Sequence, residues 1–248
     1  MQYNLKEPYF HKGGGLGMPA VDKWANEWYL KEKFQNPIVT IERYESDEDM
    51  EISNGEKYDV YFDDYLDNSY ENEYLADGYL SEMDGISDDI YSDLVNPAVG
   101  PEEPIEHLLF IGRNTKSGAH LHIEDDFILH QIVGKKIVYM VDFEDLAMNG
   151  LWSSYGNFSK ENFFNLPQSM DSKIHRIEME PGDILYIPPW VWHATENIGY
   201  SIAVTKVFER DTSYLKTKRF KKLWWRHYTM SIKETLRTIG GWFSRSEN

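Results

Sequence analysis

Between Glu106 and Phe208 the chain is written almost entirely in short runs of β-branched and aromatic residues, and this texture constrains the fold more than any other feature. LLFIG, HLHIE, FILHQIV, KKIVYMVDF, IHRIEM, DILYIP and YSIAVTKVF follow one another closely, separated by Gly, Asn, Asp or Pro. Such punctuated runs read as strands. Seven of them within about 100 residues predict an all-β barrel or jelly roll. The stretch DLAMNGLWSSYGNFSKENFFNLPQSM interrupts the pattern and reads as a loop with a helical turn.

The flanks differ from this centre. Residues 1 to 43 open with a Gly-rich segment, and WANEWYLKEKFQNPIVTIERY then predicts a short helix and a strand ending near Tyr44. From Glu45 to Asp93 there are 18 Asp or Glu against one basic residue, Lys57, with seven tyrosines interspersed. A run of this kind predicts a solvated acidic face on helices whose Tyr and Leu residues pack inward. After Arg210 the strands stop, and the tail predicts one or two amphipathic helices carrying nine Lys or Arg against two Glu. The chain thus divides into an acidic N-terminal segment (1–103), a barrel (104–210) and a basic tail (211–248). The tail suits a homodimer contact, with RNA or an anionic membrane surface as the alternative.

A net charge of −17 argues against general nucleic-acid binding except through that tail. The chain has no cysteine, so any metal must be held by His and carboxylate. Neither a signal sequence nor an apolar run long enough to span a bilayer is present, and a soluble, cytoplasmic protein is expected. GGGLG lacks the strand, helix and lysine of a phosphate loop, and no GxSxG nucleophile motif occurs.

The chemistry concentrates in two segments. In AHLHIE, side chains two apart share a strand face, so His120, His122 and Glu124 project together. A His-x-Glu pair offers two of the three ligands of a facial triad for non-haem Fe(II). The best candidate for the third is His193, at the end of PGDILYIPPWVWH, where a tight turn, an apolar strand and a Pro-Pro segment lead to the imidazole. His120 with His122 is an alternative pair. His107, His130 and His175 lie within or beside apolar strands and read as structural, and Trp190 and Trp192 read as packing beneath the metal loop, with a place in the substrate channel as the alternative for either. Ser201, Ala203 and Thr205 share one face of a late strand.

SGAHLHIEDDFILHQIVGKKIVYMVDF, followed by IEMEPGDILYIPPWVWHATENIGYSIAVTKVF, resembles the JmjC and cupin-like Fe(II)- and 2-oxoglutarate-dependent hydroxylases over residues 104 to 210. The resemblance implies a double-stranded β-helix with N-terminal helical and strand additions and C-terminal helices. It implies Fe(II) on His122, Glu124 and His193, with 2-oxoglutarate and O₂ as co-substrates. It also implies that Lys136 pairs with the distal carboxylate of 2-oxoglutarate, and that Thr205, with Ser201 on the same face, lines that subsite. Two departures stand out: Glu124 replaces a commoner Asp, and Ala119 stands where relatives often have Thr. The activity implied is hydroxylation of a protein or peptide side chain. The alternatives are a small-molecule or tRNA-nucleoside hydroxylase and a non-catalytic cupin-like binding protein.

Overall fold

The structure, a computed structural model, describes residues 7–68, 71–97, 103–122, 125–142, 164, 174–209, 221 and 225. Glu124, the expected loop over 145–170 apart from Phe164, and the expected tail helices apart from Lys221 and Trp225 lie outside those residues.

The chain opens with β1 (Tyr9–His11), α1 (Pro19–Lys23), α2 (Glu27–Phe34), β2 (Ile38–Arg43), α3 (Asp47–Glu51), β3 (Glu56–Tyr61), α4 (Phe62–Asn68) and β4 (Glu73–Tyr79). A 3-10 turn at Leu80–Glu82 and α5 (Asp88–Asp93) complete this part. The helices are short, and α2, α3 and α5 start on side-chain caps. Asn26 Oδ1 accepts from the Trp28 amide at 3.1 Å, Ser46 Oγ from Asp49 at 3.1 Å and Ser87 Oγ from Asp89 at 3.2 Å. Beyond them the structure turns to strands: β5 (Glu106–Arg113), β6 (Lys116–His120), β7 (Asp126–Asp142), β8 (His175–Met179), β9 (Ile184–Ile187) and β10 (Val191–Phe208). The protein is mostly β, as its sequence texture predicts.

Two of these strands are far longer than the runs read from sequence. FILHQIV and KKIVYMVDF join into one 17-residue strand, β7, and the segment carrying His193 joins YSIAVTKVF in the 18-residue β10. The two pair antiparallel along most of their length, from Val191↔Asp142 to Phe208↔Asp126, with a register break around Ile198–Ile202. Gly134 (φ 69°) and Gly199 (φ 67°) sit at that break. A Cβ on Gly134 would lie 1.9 Å from the Tyr200 carbonyl oxygen, so only glycine lets the two chains approach this closely.

The bend makes one hairpin serve two sheets. Its 135–142 and 191–198 half carries β8 and β6 at its edges, and its other half carries β9 and β1 on one side and β5, β4, β2 and β3 on the other. Val138, Met140 and Met179 from the smaller sheet pack against Leu129, Leu185 and Ala203 from the larger. Two sheets sharing bent strands and closing over a common core make a jelly roll.

The larger sheet also buries its outer face. Leu75, Leu109, Ile111, Ile202 and Val204 point to the helical side and pack with Trp24, Leu30, Phe34 and Phe62, where the Phe34 and Phe62 rings stack at 4.4 Å. The acidic segment differs from its helical expectation, because β3 and β4 run through it and join this sheet. The reason lies in its period. In EKYDVY the Tyr58 and Val60 side chains pack on the core while the residues between face water, and alternation of this kind is strand patterning. Among the described residues no helix is long and apolar enough to cross a membrane.

Candidate metal centre and adjoining cavity

β6 and β10 bring the histidines together. The pairing sets His193 directly opposite His120, with ring centroids 4.2 Å apart, and His122, two residues further on, lies 5.2 Å from His120 and 5.0 Å from His193. One ligand nitrogen from each lies within 4.8 Å of the others. His193 is therefore a strand residue rather than a loop residue. The preceding Pro-Pro-Trp turn is tied to the early strand, because the Trp190 amide donates to the His122 carbonyl at 2.9 Å, with Trp190 at φ 67°. Trp190 and Trp192 are buried next to it, as expected of them.

Backbone carbonyls orient two of the imidazoles. His120 Nδ1 lies 3.0 Å from the Gly118 carbonyl and His193 Nδ1 3.1 Å from the Val191 carbonyl. A carbonyl can only accept, so each Nδ1 donates to it and each Nε2 is the atom turned to the cluster. Burial holds His193 and His122 well below the usual imidazole range, with neighbouring imidazoles adding to the shift. His122 is further fixed by stacking on Phe127 at 3.5 Å. Three converging imidazoles, two of them held neutral by burial, fit a borderline transition-metal ion.

The cluster opens into a cavity between the sheets, lined also by Tyr74, Asp77, Phe110, Lys136, Thr195 and Thr205. Lys136 is 2% exposed. Its Nζ bonds the Tyr74 hydroxyl at 3.3 Å and lies 5.7 Å from the Tyr74 and Phe110 ring centres. Among the described residues it forms no ion pair. Burial pulls its ammonium down to about 7, with Asp77 opposing the shift. Lys135, its neighbour, is exposed and pairs with Glu180 at 3.0 Å. Asp77 keeps access to solvent at the cavity, yet the protein around it pushes its carboxyl up, while His120, Lys57 and Lys136 pull it back.

Of the residues singled out in the sequence, His120, His122, His193, Lys136 and Thr205 meet around this cavity. Ser201 shares the Thr205 face but lies outside the lining, where its hydroxyl accepts from Gln131 Nε2 at 2.9 Å. His130 is buried, and the sequence reading of it as structural gives no partner for its two ring nitrogens, which have none among the described residues. Tyr74 and Asp77 went unrecognised in the sequence, hidden among the many tyrosines and acids of their segment. The only local signal is the Asp77-Gly78 dipeptide, a mark of a turn or bulge.

A jelly roll whose inter-sheet cavity is flanked by a histidine cluster is the architecture of the cupins. The chain belongs to the cupin-like domain family, whose profile matches residues 2–214. Among solved structures it is similar to E. coli ycfD, with a TM-score of 0.56 at 15% identity, over 92% of this chain and 55% of that one. That likeness shows the fold, and the chain spans about half the length of ycfD. Comparison with curated protein sequences finds no match.

Proposed function

We propose that the chain is an Fe(II)- and 2-oxoglutarate-dependent oxygenase that hydroxylates a protein or peptide side chain. The observation that carries the reading is the convergence of three imidazoles with one buried lysine that forms no ion pair among the described residues, all in a single cavity. His122 and His193 would hold the iron, with Glu124 or His120 as the further protein ligand. With 2-oxoglutarate and O₂, bound iron supplies an oxidant that converts C–H to C–OH while the oxo acid leaves as succinate and CO₂.

The chain's own residues supply the rest. The Gly118 and Val191 carbonyls aim the imidazoles. Lys136, helped by the Tyr74 and Thr205 hydroxyls, offers a site for a carboxylate, which is what a buried cation without an acid partner lacks. Leu108, Phe127, Leu129 and Ile187 make the remaining walls apolar and keep water out. The cavity is narrow, with about 40 Å³ of room for water centres, so a five-carbon diacid enters only as side chains such as Tyr74 and Phe110 part.

The test is succinate formation from 2-oxoglutarate with Fe(II), followed by mass spectrometry of candidate peptides for a gain of one oxygen. His193→Ala is expected to abolish succinate while the circular dichroism spectrum is unchanged. Unaltered turnover in that variant removes the proposed site. Oxygen gain on tRNA or on a free metabolite instead of peptide would move the substrate class. Complete lack of succinate from the wild type would leave a binding protein.

A further inference from the structure

β4 leaves regular pairing at one place. Tyr74 and Leu75 stand opposite Gly112 and Ile111, and Gly78 opposite Leu109, so Ala76 and Asp77 share the single position facing Phe110. This is a β-bulge, and its second residue, Asp77, takes the left-handed conformation at φ 53°. The consequence follows from the pleat. On an unbroken strand Asp77 would point with Leu75 into the helix-side core, and residue 78 would face the cavity. The extra residue exchanges them. A Cβ on Gly78 would meet Leu75 Cδ2 at 2.5 Å and Met83 Cε at 2.9 Å, both in the helix-side core, whereas Asp77 lines the cavity. The bulge thus delivers a carboxylate to the histidine cluster at the expense of a strained backbone position, and bulges beside active sites commonly re-aim a side chain in this way.

Asp77 acts on Lys136 through its field but makes no close ion pair with it among the described residues. Elsewhere in the protein close ion pairs form where acid and base meet, as between Lys116 and Glu51 at 2.5 Å. Asp77 and Lys136 line one cavity, yet among the described residues neither forms an ion pair. Lys57, the one basic residue of the acidic segment, is itself taken by Glu42 at 3.0 Å. Among the described residues Asp77 therefore has acceptor capacity and no ion-pair partner.

We propose that Asp77 is the substrate-recognition residue of this site and that it receives a basic side chain, a guanidinium or an ammonium, of a peptide substrate. The assignment rests on the oxygenase reading for the word substrate, with Lys136 reserved for the co-substrate carboxylate and Asp77 for the group to be oxidised.

The test uses four capped pentapeptides of sequence Gly-Gly-X-Gly-Gly, with X as arginine, lysine, citrulline or norleucine. Their binding to the Zn(II)-loaded chain with 2-oxoglutarate is measured by titration calorimetry. The wild type is expected to bind the arginine or lysine peptide about tenfold more tightly than the uncharged ones. Asp77→Asn should erase that preference, and because asparagine tolerates the left-handed conformation the bulge should persist. The variant should retain Zn(II) binding. A wild type with no preference for charge, or an Asp77→Asn variant that keeps it, overturns the assignment. Loss of Zn(II) binding along with the preference overturns it too, by placing Asp77 in metal-site integrity. If neither protein forms succinate but the charge preference and its loss are seen, the oxygenase reading fails while Asp77 remains the recognition residue for a basic ligand.

Discussion

Asp93 and Lys136 are both almost wholly buried charges, and the protein treats them in opposite ways. Asp93, on the helical side of the larger sheet, accepts from Lys23 Nζ at 2.6 Å, Tyr29 hydroxyl at 2.7 Å and Trp24 Nε1 at 3.1 Å. Lys136, on the cavity side, has one long bond to a hydroxyl and two aromatic faces. A buried charge is tolerable when its hydrogen bonds and countercharge are met, and costly when they are not. The two faces of one sheet therefore do different work. The helical face holds satisfied groups and stacked rings that stabilise the fold, and the cavity face holds a lysine whose countercharge is not met among the described residues.

The contrast is sharpest where a large side chain is removed from the helical face. Phe34 is fully buried between Trp24 and Phe62, and Phe34→Ala should cost about 3–5 kcal/mol of unfolding free energy. Urea denaturation followed by fluorescence would read it. The few molecules still folded should keep their affinity for metal, because Phe34 touches nothing in the cavity. A parallel fall in metal affinity at low denaturant would break the division between the faces.

A substitution on the cavity face should act with the opposite sign. Lys136→Met removes an uncompensated cation and keeps the side-chain volume, so it should stabilise the fold by about 1–3 kcal/mol while abolishing 2-oxoglutarate binding. The pH dependence separates this from simple repacking. The folded protein holds Lys136 down at about 7 against an ordinary value of 10.5, so the unfolded chain binds the proton more readily between those values. Stability of the wild type therefore rises with pH across that window. The advantage of Lys136→Met should be greatest below about pH 7 and vanish above the ordinary lysine range, as thermal melts across pH would show. A variant less stable than wild type at pH 7 would make Lys136 a structural residue.

The two faces were unequally legible in the sequence. Punctuated β-branched runs announced the barrel, His122 stands in the alternating His-Leu-His-Ile-Glu run, and His193 and Lys136 stand close to the Pro-Pro and Gly-Lys-Lys landmarks. The bend at Gly134 was not legible, because a glycine between two apolar runs looks the same whether it ends a strand or folds one strand across two sheets. The strand character of the acidic segment was hidden for a different reason. Its acids are the water-facing half of an alternating pattern, and their abundance outweighed the period that places Tyr74 on the cavity face. Asp77 was further concealed, since a bulge inverts the face that alternation assigns.

The smallest predicted effect bears most directly on why Lys136 is left unpaired. A carboxylate ligand binds the ammonium and not the neutral amine, and with Lys136 near 7 the free protein is losing that proton at neutral pH. Each step of one pH unit above 7 should then weaken 2-oxoglutarate binding about tenfold until the value reached in the complex is passed. Binding near neutrality should also take up protons, because the ligand's charge raises the lysine again. Calorimetry of Zn(II)-loaded protein in buffers of different ionisation enthalpy reports that uptake directly. Lys136→Arg serves as the control, since a guanidinium stays charged and its complex should show no proton uptake from this position even if the affinity is lower. Affinity that stays level from pH 6.5 to 8.5, with no buffer dependence, would mean that the lysine is already charged and satisfied. The cavity face would then differ from the helical face in its shape and not in its unmet electrostatics.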